Sequence, residues 1–335
     1  MKKFSVKQIA AQAGFSTATV DRVLHGRSGV HQQTKSRIER AIEELEAQYK
    51  LDALKGRTFY VDVVMSSPAR FSHLVRDALN RVSVQMASFR VRLRYYLYQE
   101  IDIDSLAEVV RETKERGSHG LILKAPDDPR ITAAVDQLCD AGVPAVTLVT
   151  DLPQSKRLSY IGIDNVSAGE TAAFMLKQWL GEQQSGALLV QSSHLFHGEV
   201  ERAQGFCQFL EHHSNLTITT ASEGRGLNVD TKKMVTGILE EQPNIRAVYS
   251  VGGGNRAILD AFKEVNRPID VFIGHDLDED NRHLLRTKQI DVVIDHNLED
   301  DARAAFFSML ASYGVTPTST YTTSRINIVT PFNLP

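Results

Sequence analysis

The chain has 335 residues and a formal net charge of −3, and 42% of its residues are hydrophobic and 24% charged, as is typical of a soluble globular protein. No stretch approaches the ~20 apolar residues that a membrane helix requires, and the start lacks the apolar run of a secretory signal. We therefore expect a cytoplasmic protein with no membrane partner. The two cysteines, Cys139 and Cys207, have no C-x-x-C spacing, which argues against metal or redox roles.

Two short helices joined by a tight turn are predicted at the start of the chain. The first begins at Ser5, a good N-cap, and runs to Ala13. The second begins at Ser16 and stops at Gly26, with Gly14 in the turn between them. Two helices joined by a turn containing glycine form the helix-turn-helix pattern, whose second helix enters the major groove of DNA.

A third helix is predicted from Thr34 to about Gln48, with an apolar stripe along one side. Spacing alone also fits a small helical bundle with no DNA-binding role. Charge favours DNA, because residues 1–57 contain eleven Lys or Arg against six Asp or Glu, a net charge of +5. Since the whole chain carries −3, the remainder carries −8. A basic module on an acidic body is expected when only that module meets phosphate.

The segment from Val6 to Leu45 resembles the headpiece of the LacI family of bacterial transcription regulators. The family pattern is V-x-x-I/V-A-x-x-A-G-V-S-x-x-T-V-S-R-V-L-N-G, and this chain has VKQIAAQAGFSTATVDRVLHG without a gap. The resemblance implies that an all-α DNA-binding headpiece occupies residues 1–48.

The resemblance also implies roles for the second helix. Thr17, Ala18 and Arg22 stand at base-reading positions, and Ser16 and Thr19 stand where phosphate contacts hold the helix in register. Arg22 is suited to read guanine O6 and N7 with two hydrogen bonds. The family usually has Ser where this chain has Asp21. Two roles stay open for that carboxylate, which are to accept from a cytosine N4 amine or to pair with Arg22.

Residues 49–58, YKLDALKGRT, are predicted to link the headpiece to the body. In the LacI family a hinge helix in this segment wedges a leucine into the minor groove, and Leu54 resembles that leucine. The usual Asn-x-x-Ala-x-x-Leu spacing is missing, so the hinge helix is expected to be short. A plain basic linker is the alternative.

The body, residues 59–335, is predicted to be α/β. Ten candidate strands, mostly apolar runs rich in Val, Ile and Leu, alternate with eight candidate helices. Apolar runs of this kind are typical of parallel strands covered on both faces. The alternation predicts doubly wound parallel sheets, and there are too many strands for one compact sheet, so two lobes are expected. Ligands of such folds bind beyond the carboxyl ends of the strands.

The body resembles the type I periplasmic binding proteins, and ribose-binding proteins especially. The segments that carry this resemblance are Gly142–Thr147, Tyr160–Asn165, Arg202-x-x-Gly205-Phe206 and Ile273–Asp276, in the family order. It implies that the chain crosses between lobes near Asn165, Asn297 and Ile326. One lobe then comprises about 59–164 plus 298–325, and the other about 165–297 plus 326–335.

The same resemblance assigns a ligand site between the lobes. Arg202 and Asp276 match an arginine and an aspartate that hydrogen-bond sugar hydroxyls, and His296 stands where many relatives have Gln. Other polar or aromatic candidates follow predicted strands, and these are Ser66, Phe71, Asp127, Thr150 and Asn255. A packing role is the alternative for each of these residues.

Several motifs that resemble metal or phosphate sites fail in detail. His194-x-x-His197 lies in a predicted loop without the H-E-x-x-H order, and Asp276-x-Asp278-x-Asp280 lacks the glycine and the glutamate of a calcium loop. Gly252-Gly253-Gly254-Asn255 lacks the lysine of a phosphate loop. We therefore expect no metal, no cofactor and no catalytic residues.

The sequence thus predicts a ligand-responsive repressor of sugar or polyol genes. Its expected partners are a pseudo-palindromic DNA operator, a sugar or sugar alcohol as effector, and a second copy of the chain. Apolar residues of Phe71–Ser88 and Glu299–Tyr313 are the candidate dimer contacts. The alternatives are a solute receptor that serves a transporter, which the basic headpiece opposes, and a sugar or nucleoside enzyme, for which no nucleophile and base pair is present.

Overall fold

The computed structural model describes residues 4–54, 58–86, 90–181, 185–222, 224, 228–314 and 323–335. The helices are α1 Val6–Ala13, α2 Thr17–Leu24, α3 Gln32–Leu54, α4 Ala69–Gln85, α5 Ile103–Glu115, α6 Pro129–Asp140, α7 Asn165–Leu180, α8 His197–His213, α9 Asn228–Glu241, α10 Asn255–Glu264, α11 Glu279–Arg286 and α12 Leu298–Ser312. The strands are β1 Thr58–Ser66, β2 Arg90–Tyr98, β3 Gly120–Lys124, β4 Ala145–Leu148, β5 Ser159–Ile161, β6 Gly186–Val190, β7 Thr217–Ala221, β8 Ile245–Ser250, β9 Val271–His275, β10 Val292–Asp295 and β11 Asn327–Val329.

The headpiece begins with two helices whose ends follow from local sequence. The Ser5 hydroxyl accepts a hydrogen bond from the Gln8 amide, and the Gln8 side-chain oxygen accepts one from the Ser5 amide, which completes a capping box. Gly14 then ends α1 in the left-handed conformation, with φ of 76°. The Ser16 side chain caps α2 by accepting from the Thr19 amide. The apolar faces of α1, α2 and α3 meet in a small core, so the predicted helix-turn-helix is confirmed.

Helix α3 is longer than predicted, because it ends at Leu54 rather than at about Gln48. The segment from Thr34 to Leu54 contains neither Pro nor Gly, and Gly56 is the first residue that disfavours a helix. Much of the predicted linker therefore continues the third helix, and the expectation of a separate short hinge helix is wrong for residues 49–54. The predicted minor-groove role of the Leu54 side chain lies outside the described residues.

The body consists of two lobes with the same strand order. The first sheet runs β2-β1-β3-β4-β5, and all of its neighbouring strands are parallel. The second runs β7-β6-β8-β9-β10, with β11 added antiparallel to β10. Counted within each lobe, both sheets have the order 2-1-3-4-5 of a doubly wound fold. The predicted two-lobed fold is therefore confirmed, and all ten predicted strands are present.

Helices cover both faces of each sheet, which explains the apolar runs in the sequence. Strand β3, for example, is buried at every position. Helix α12 packs against the first sheet, although it follows a strand of the second. The chain therefore crosses between the lobes after β5, after β10 and before β11. Three crossings tie the lobes together beside the cleft that they enclose.

Candidate functional site

A cavity of ≈ 450 Å³ lies between the lobes, at the carboxyl ends of strands from both sheets. A volume of this size is typical of small-molecule sites. The first lobe contributes the segments after β1, β2 and β4, and Lys124 at the end of β3. The second lobe contributes the first turns of α8 and the segments after β6, β8 and β9. This cavity is called the cleft below.

Arg202 lies on α8 at the wall of the cleft and is only 3% exposed. Its Nε donates to the Asn165 side-chain oxygen at 2.8 Å, and Nη1 donates to the Val251 carbonyl at 3.0 Å. Nη2 lies 2.9 Å from Nε2 of His296. Burial and the nearby guanidinium lower the pKa of His296 well below its usual range, so that the ring is neutral and accepts this hydrogen bond. Three neutral partners thus hold Arg202 in one orientation, with its charge available to a ligand.

Asp276 follows β9 and carries an unusual backbone, with φ of 65°. Its Oδ1 is buried and has no hydrogen-bond partner among the residues that the structure describes. Burial raises the pKa of this carboxyl to about 7, and the charge of Arg202 opposes that rise. This oxygen lies 3.7 Å from Nε2 of His296, too far for a hydrogen bond, and it is suited to accept one from a ligand hydroxyl.

Lys124 ends β3 and reaches the cleft from the first lobe. Burial lowers the pKa of its ammonium group to about 8, while Glu199 and Asp276 act in the opposite direction. The ammonium nitrogen lies 4.1 Å from the centre of the Phe196 ring and 5.8 Å from that of Phe71. This cation–π contact joins the lobes, since Phe196 belongs to the second.

Glu199 is a cleft residue that the sequence did not single out as a ligand candidate. Its carboxylate accepts from the backbone amide of Ser192 at 2.7 Å and from the hydroxyl of the same residue. Its spacing in the sequence could have indicated this position, because Glu199 lies three residues before Arg202 and therefore on the same face of α8. The cleft is thus lined by two buried cations, Lys124 and Arg202, and by Arg70, and its acidic lining residues are Glu100, Asp102, Glu199, Asp276 and Asp278.

An ion pair also crosses the cleft, at its rim. Nε of Arg70, on α4 of the first lobe, lies 3.0 Å from the carboxylate of Asp278. Asp278 also caps α11 by accepting from the Asn281 amide. Neither Arg70 nor Asp278 was predicted as a site residue, and helix α11 was not predicted at all.

The predicted ligand residues divide into two groups. Ser66, Phe71, Thr150, Arg202 and Asp276 line the cleft. The other three do not: His296 is buried behind Arg202, Asn255 donates to Asn281 beside the cleft, and the carboxylate of Asp127 lies 3.6 Å from His197 at the rim. In this structure these three side chains contact protein groups, so for them the alternative of a packing role fits better.

Helix α2 exposes Thr17, Ala18 and Arg22, the residues predicted to read bases, and exposure is a requirement of that role. Asp21 is half-buried, and its carboxylate lies 3.0 Å from Nδ1 of His25 and 3.4 Å from Arg27. The hypothesis that Asp21 pairs with Arg22 is therefore not supported by the ion pairs of the described residues.

Comparisons with protein-family models assign a family to the headpiece and to the body. Residues 5–48 match the family model of bacterial regulatory proteins of the lacI family. Residues 75–312, more than half of the chain, match the model of the periplasmic binding protein domain. The chain belongs to the periplasmic binding protein domain family and carries a lacI-family DNA-binding headpiece. It is thus a transcription regulator of the lacI type.

Solved structures agree on the fold of the body. A glucose-galactose binding protein from Geobacillus stearothermophilus superposes with a TM-score of 0.74 at 18% identity, over 83% of this chain and 99% of that one. A solute-binding protein from Agrobacterium vitis with bound D-fucose gives 0.71 at 18% identity, over 83% and 96%. One from Actinobacillus succinogenes with bound D-allose gives 0.70 at 14% identity, over 82% and 98%. A search of curated proteins found no match.

Two further observations concern only the described part of the chain. No helix there is both long and apolar enough to cross a membrane. Its His, Cys, Asp and Glu side chains form no group of three or more that could hold a metal ion.

Cys139 and Cys207 are both half-buried free thiols, and burial raises the pKa of each.

Proposed function

We propose that the protein is a repressor of genes for sugar or polyol metabolism or transport, and that a small neutral polyol bound in the cleft changes its affinity for an operator. The observation that carries this proposal is the cleft itself. It joins buried hydrogen-bond donors and acceptors from both lobes in a chain that also has a lacI-family headpiece. Structural neighbours that bind sugars support the same ligand class.

The charges of the cleft favour a neutral polyol over a sugar acid or a sugar phosphate. Lys124 and Arg202 can donate to hydroxyl oxygens, whereas Asp276 and Glu199 can accept from hydroxyl groups. A hydroxyl group both donates and accepts, so a polyol can use all four side chains. A carboxylate or phosphate would meet two acidic side chains in a buried site, which is unfavourable. The Phe71 ring offers an apolar surface for the face of a sugar.

The DNA-binding part of the proposal depends on dimerisation. Two headpieces related by a two-fold axis would read the two halves of a pseudo-palindromic operator, each through α2. Of the apolar residues predicted as dimer contacts, Val84 on α4 and Phe307 on α12 are exposed, whereas Phe71, Val75 and Leu79 of α4 belong to the core. We therefore propose Val84 and Phe307 as the contacts to test first.

The switch follows from linkage between the two sites. The effector can change operator affinity only by binding one arrangement of the lobes more tightly than the other. Because α3 runs from the headpiece core to Leu54 and β1 starts at Thr58, a change in the first lobe would alter the position of the headpiece. We infer that lobe closure is the two-state element on which the effector acts.

A thermal-shift screen of the full chain tests the effector class. The panel contains D-ribose, D-galactose, D-glucose and myo-inositol, with D-gluconate and ribose 5-phosphate as charged counterparts. A neutral ligand at 100 times its dissociation constant should stabilise the protein by about 2.7 kcal/mol. Stabilisation by the charged compounds alone would contradict the assignment of a neutral polyol.

A second measurement tests the DNA-binding role. Fluorescence anisotropy with a duplex selected from a random pool should give binding that weakens steeply as salt concentration rises, because phosphate contacts release counterions. A chain that binds sugar but no duplex DNA would instead be a solute receptor. Sedimentation of the same sample should give a dimer at micromolar concentration, and a monomer would contradict the proposed assembly.

A further inference from the structure

Helix α8 carries Glu199 and Arg202 in its first two turns, yet it has no cap of its own. The residue at the N-cap position is Phe196, whose side chain makes no capping hydrogen bond. The first amides of any helix lack partners within the helix, so they need an acceptor from outside. Here the Gly198 amide donates to the hydroxyl of Thr150 at 3.0 Å, and Thr150 belongs to the other lobe. The first lobe therefore caps a helix of the second.

The same short segment contacts the first lobe across the cleft through four consecutive residues. We name residues Leu195–Gly198 the clasp. The Leu195 carbonyl accepts from the Asp127 amide at 2.7 Å. The Phe196 ring lies under the ammonium group of Lys124, and the His197 side chain lies 3.6 Å from the Asp127 carboxylate. The clasp thus contacts the ends of β3 and β4 through four consecutive residues.

The backbones at this contact approach too closely for a side chain. A Cβ atom on Gly198 would lie 2.9 Å from the Val149 carbonyl oxygen and 3.0 Å from the Asn165 side-chain nitrogen. Val149 itself adopts φ of 68°, a left-handed conformation that is strained for a β-branched residue. This backbone turns the Val149 carbonyl and the Thr150 hydroxyl towards α8. The left-handed backbone of Val149 and the absence of a side chain at Gly198 together allow the two lobes to come this close.

We propose that closure of the lobes supplies the N-terminal cap of α8 through Thr150, and that the clasp in this way couples closure to the positions of Glu199 and Arg202. Thr150 is then a positioning residue rather than an effector ligand, and Gly198 is required for full closure. When the lobes separate, the Gly198 amide loses its acceptor and the first turn of α8 loses its cap. This inference rests on the proposed function only in that it treats closure as the state that the effector selects.

Hydrogen exchange of the full chain without any ligand tests the clasp. Thr150→Val removes the hydroxyl at nearly constant shape, and it should speed exchange of the Gly198 amide about tenfold, the usual scale of a lost helix cap. Thr150→Ser keeps the hydroxyl and should restore the wild-type rate. Gly198→Ala should speed exchange of the Asp127 amide by at least about tenfold, because the lobes can no longer close fully.

Gly237→Ala is the matched control, since Gly237 lies on α9 of the same lobe and a Cβ there meets nothing within 4 Å. It should leave both amides at their wild-type rates. Unchanged exchange at Gly198 in Thr150→Val, or equal loss in Thr150→Ser, would overturn the capping role. If Gly198→Ala unfolds at a much lower temperature than the wild type, the exchange rates of Thr150→Val and Thr150→Ser still test the capping role.

The sugar of the panel above that gives the largest thermal shift supplies a second arm. Thr150→Val and Gly198→Ala should weaken its binding at least about fivefold by calorimetry, while Thr150→Ser and Gly237→Ala keep it. If no sugar shifts the wild-type melting temperature, the proposed effector class is wrong, and the exchange rates still decide whether the clasp exists. If the sugar binds Thr150→Val normally, closure does not position the cleft residues.

Discussion

Helices α2 and α8 each carry an arginine on which function is proposed to depend, yet their first turns are stabilised in different ways. Helix α2 is capped by Ser16, the residue next to it in the sequence, and Arg22 stands exposed. Helix α8 is capped by Thr150 from the other lobe, and Arg202 is buried among three partners. The recognition surface therefore depends on local sequence, whereas the cleft depends on how the two lobes meet. Substitutions in α8 should therefore change the stability of the body and effector binding, whereas substitutions on the exposed face of α2 should change operator binding.

The largest effect is expected for Arg202→Ala. It would leave the Asn165 oxygen, the Val251 carbonyl and the His296 ring without their donor, and each orphaned buried group costs about 1–3 kcal/mol. We expect the free energy of unfolding to fall by more than about 4 kcal/mol and effector affinity to fall at least tenfold. Denaturant unfolding and calorimetry would measure both changes.

Arg22→Ala is the control for that comparison, since an exposed arginine should leave unfolding and effector binding unchanged. Retained effector binding in Arg202→Ala would show that the guanidinium only supports the fold. For Arg202→Ala, operator binding without effector should stay near the wild-type value at a temperature where that variant is folded.

Asp276→Asn tests the electrostatics of the cleft. Because the pKa of Asp276 in the folded protein is about 7 and an aspartate is ordinarily near 3.9, the folded state holds more protons between these values. The stability that this carboxyl contributes is therefore full below about pH 4 and falls as pH rises to about 7, by at most about 4 kcal/mol. Asn tolerates the left-handed backbone and should remove this slope. Denaturation midpoints between pH 4.5 and 7.5 would measure it.

Some slope should remain in that variant, because burial also raises the pKa of Asp295 to about 6. The lowered pKa values of His275 and His296 give a slope of opposite sign in both proteins, so the test is the difference between wild type and variant. A wild-type stability that does not fall relative to that of Asp276→Asn as pH rises through this window would contradict the assigned shift. The recognition helix provides the contrast, since substitutions of its exposed side chains should leave the pH dependence of body stability unchanged.

Arg22→Ala should weaken binding to the selected operator by about 1–3 kcal/mol and relax preference at one base pair. The reason is the loss of two hydrogen bonds to one base edge. Anisotropy with the operator and with random duplex would separate the two contributions. Equal loss on both duplexes would assign Arg22 to the phosphate backbone instead.

Asp21→Asn should have the smallest effect. The Asp21 carboxylate pairs with the exposed groups of His25 and Arg27, and exposed ion pairs contribute about 0.2–1 kcal/mol. Headpiece melting should therefore change little. A loss of about 1–3 kcal/mol on the operator, confined to one base pair, would instead support the open alternative that Asp21 accepts from a cytosine amine.

The sequence by itself determined the elements whose signals are local. The caps Ser5 and Ser16 bond to residues three positions away, and apolar runs predicted all ten strands that alternate through the body. Family motifs and strand ends then indicated Arg202 and Asp276, which do line the cleft. Such signals are readable because the interacting groups are close in sequence or repeat with the period of the element.

Only the tertiary structure decided features that depend on which distant segments approach one another. Thr150 was predicted as a ligand residue from its position after a strand; it lines the cleft, and its hydroxyl also accepts from the Gly198 amide 48 residues away, which no local signal indicates. His296 and Asn255 follow predicted strands like Asp276 does, yet they face Arg202 and Asn281 inside the protein. Strand β11 is three residues long and forms only because the chain returns to the second lobe beside β10. Position after a strand is a local property, whereas the direction of a side chain towards a cavity or a partner is set by packing between lobes that the linear pattern does not encode.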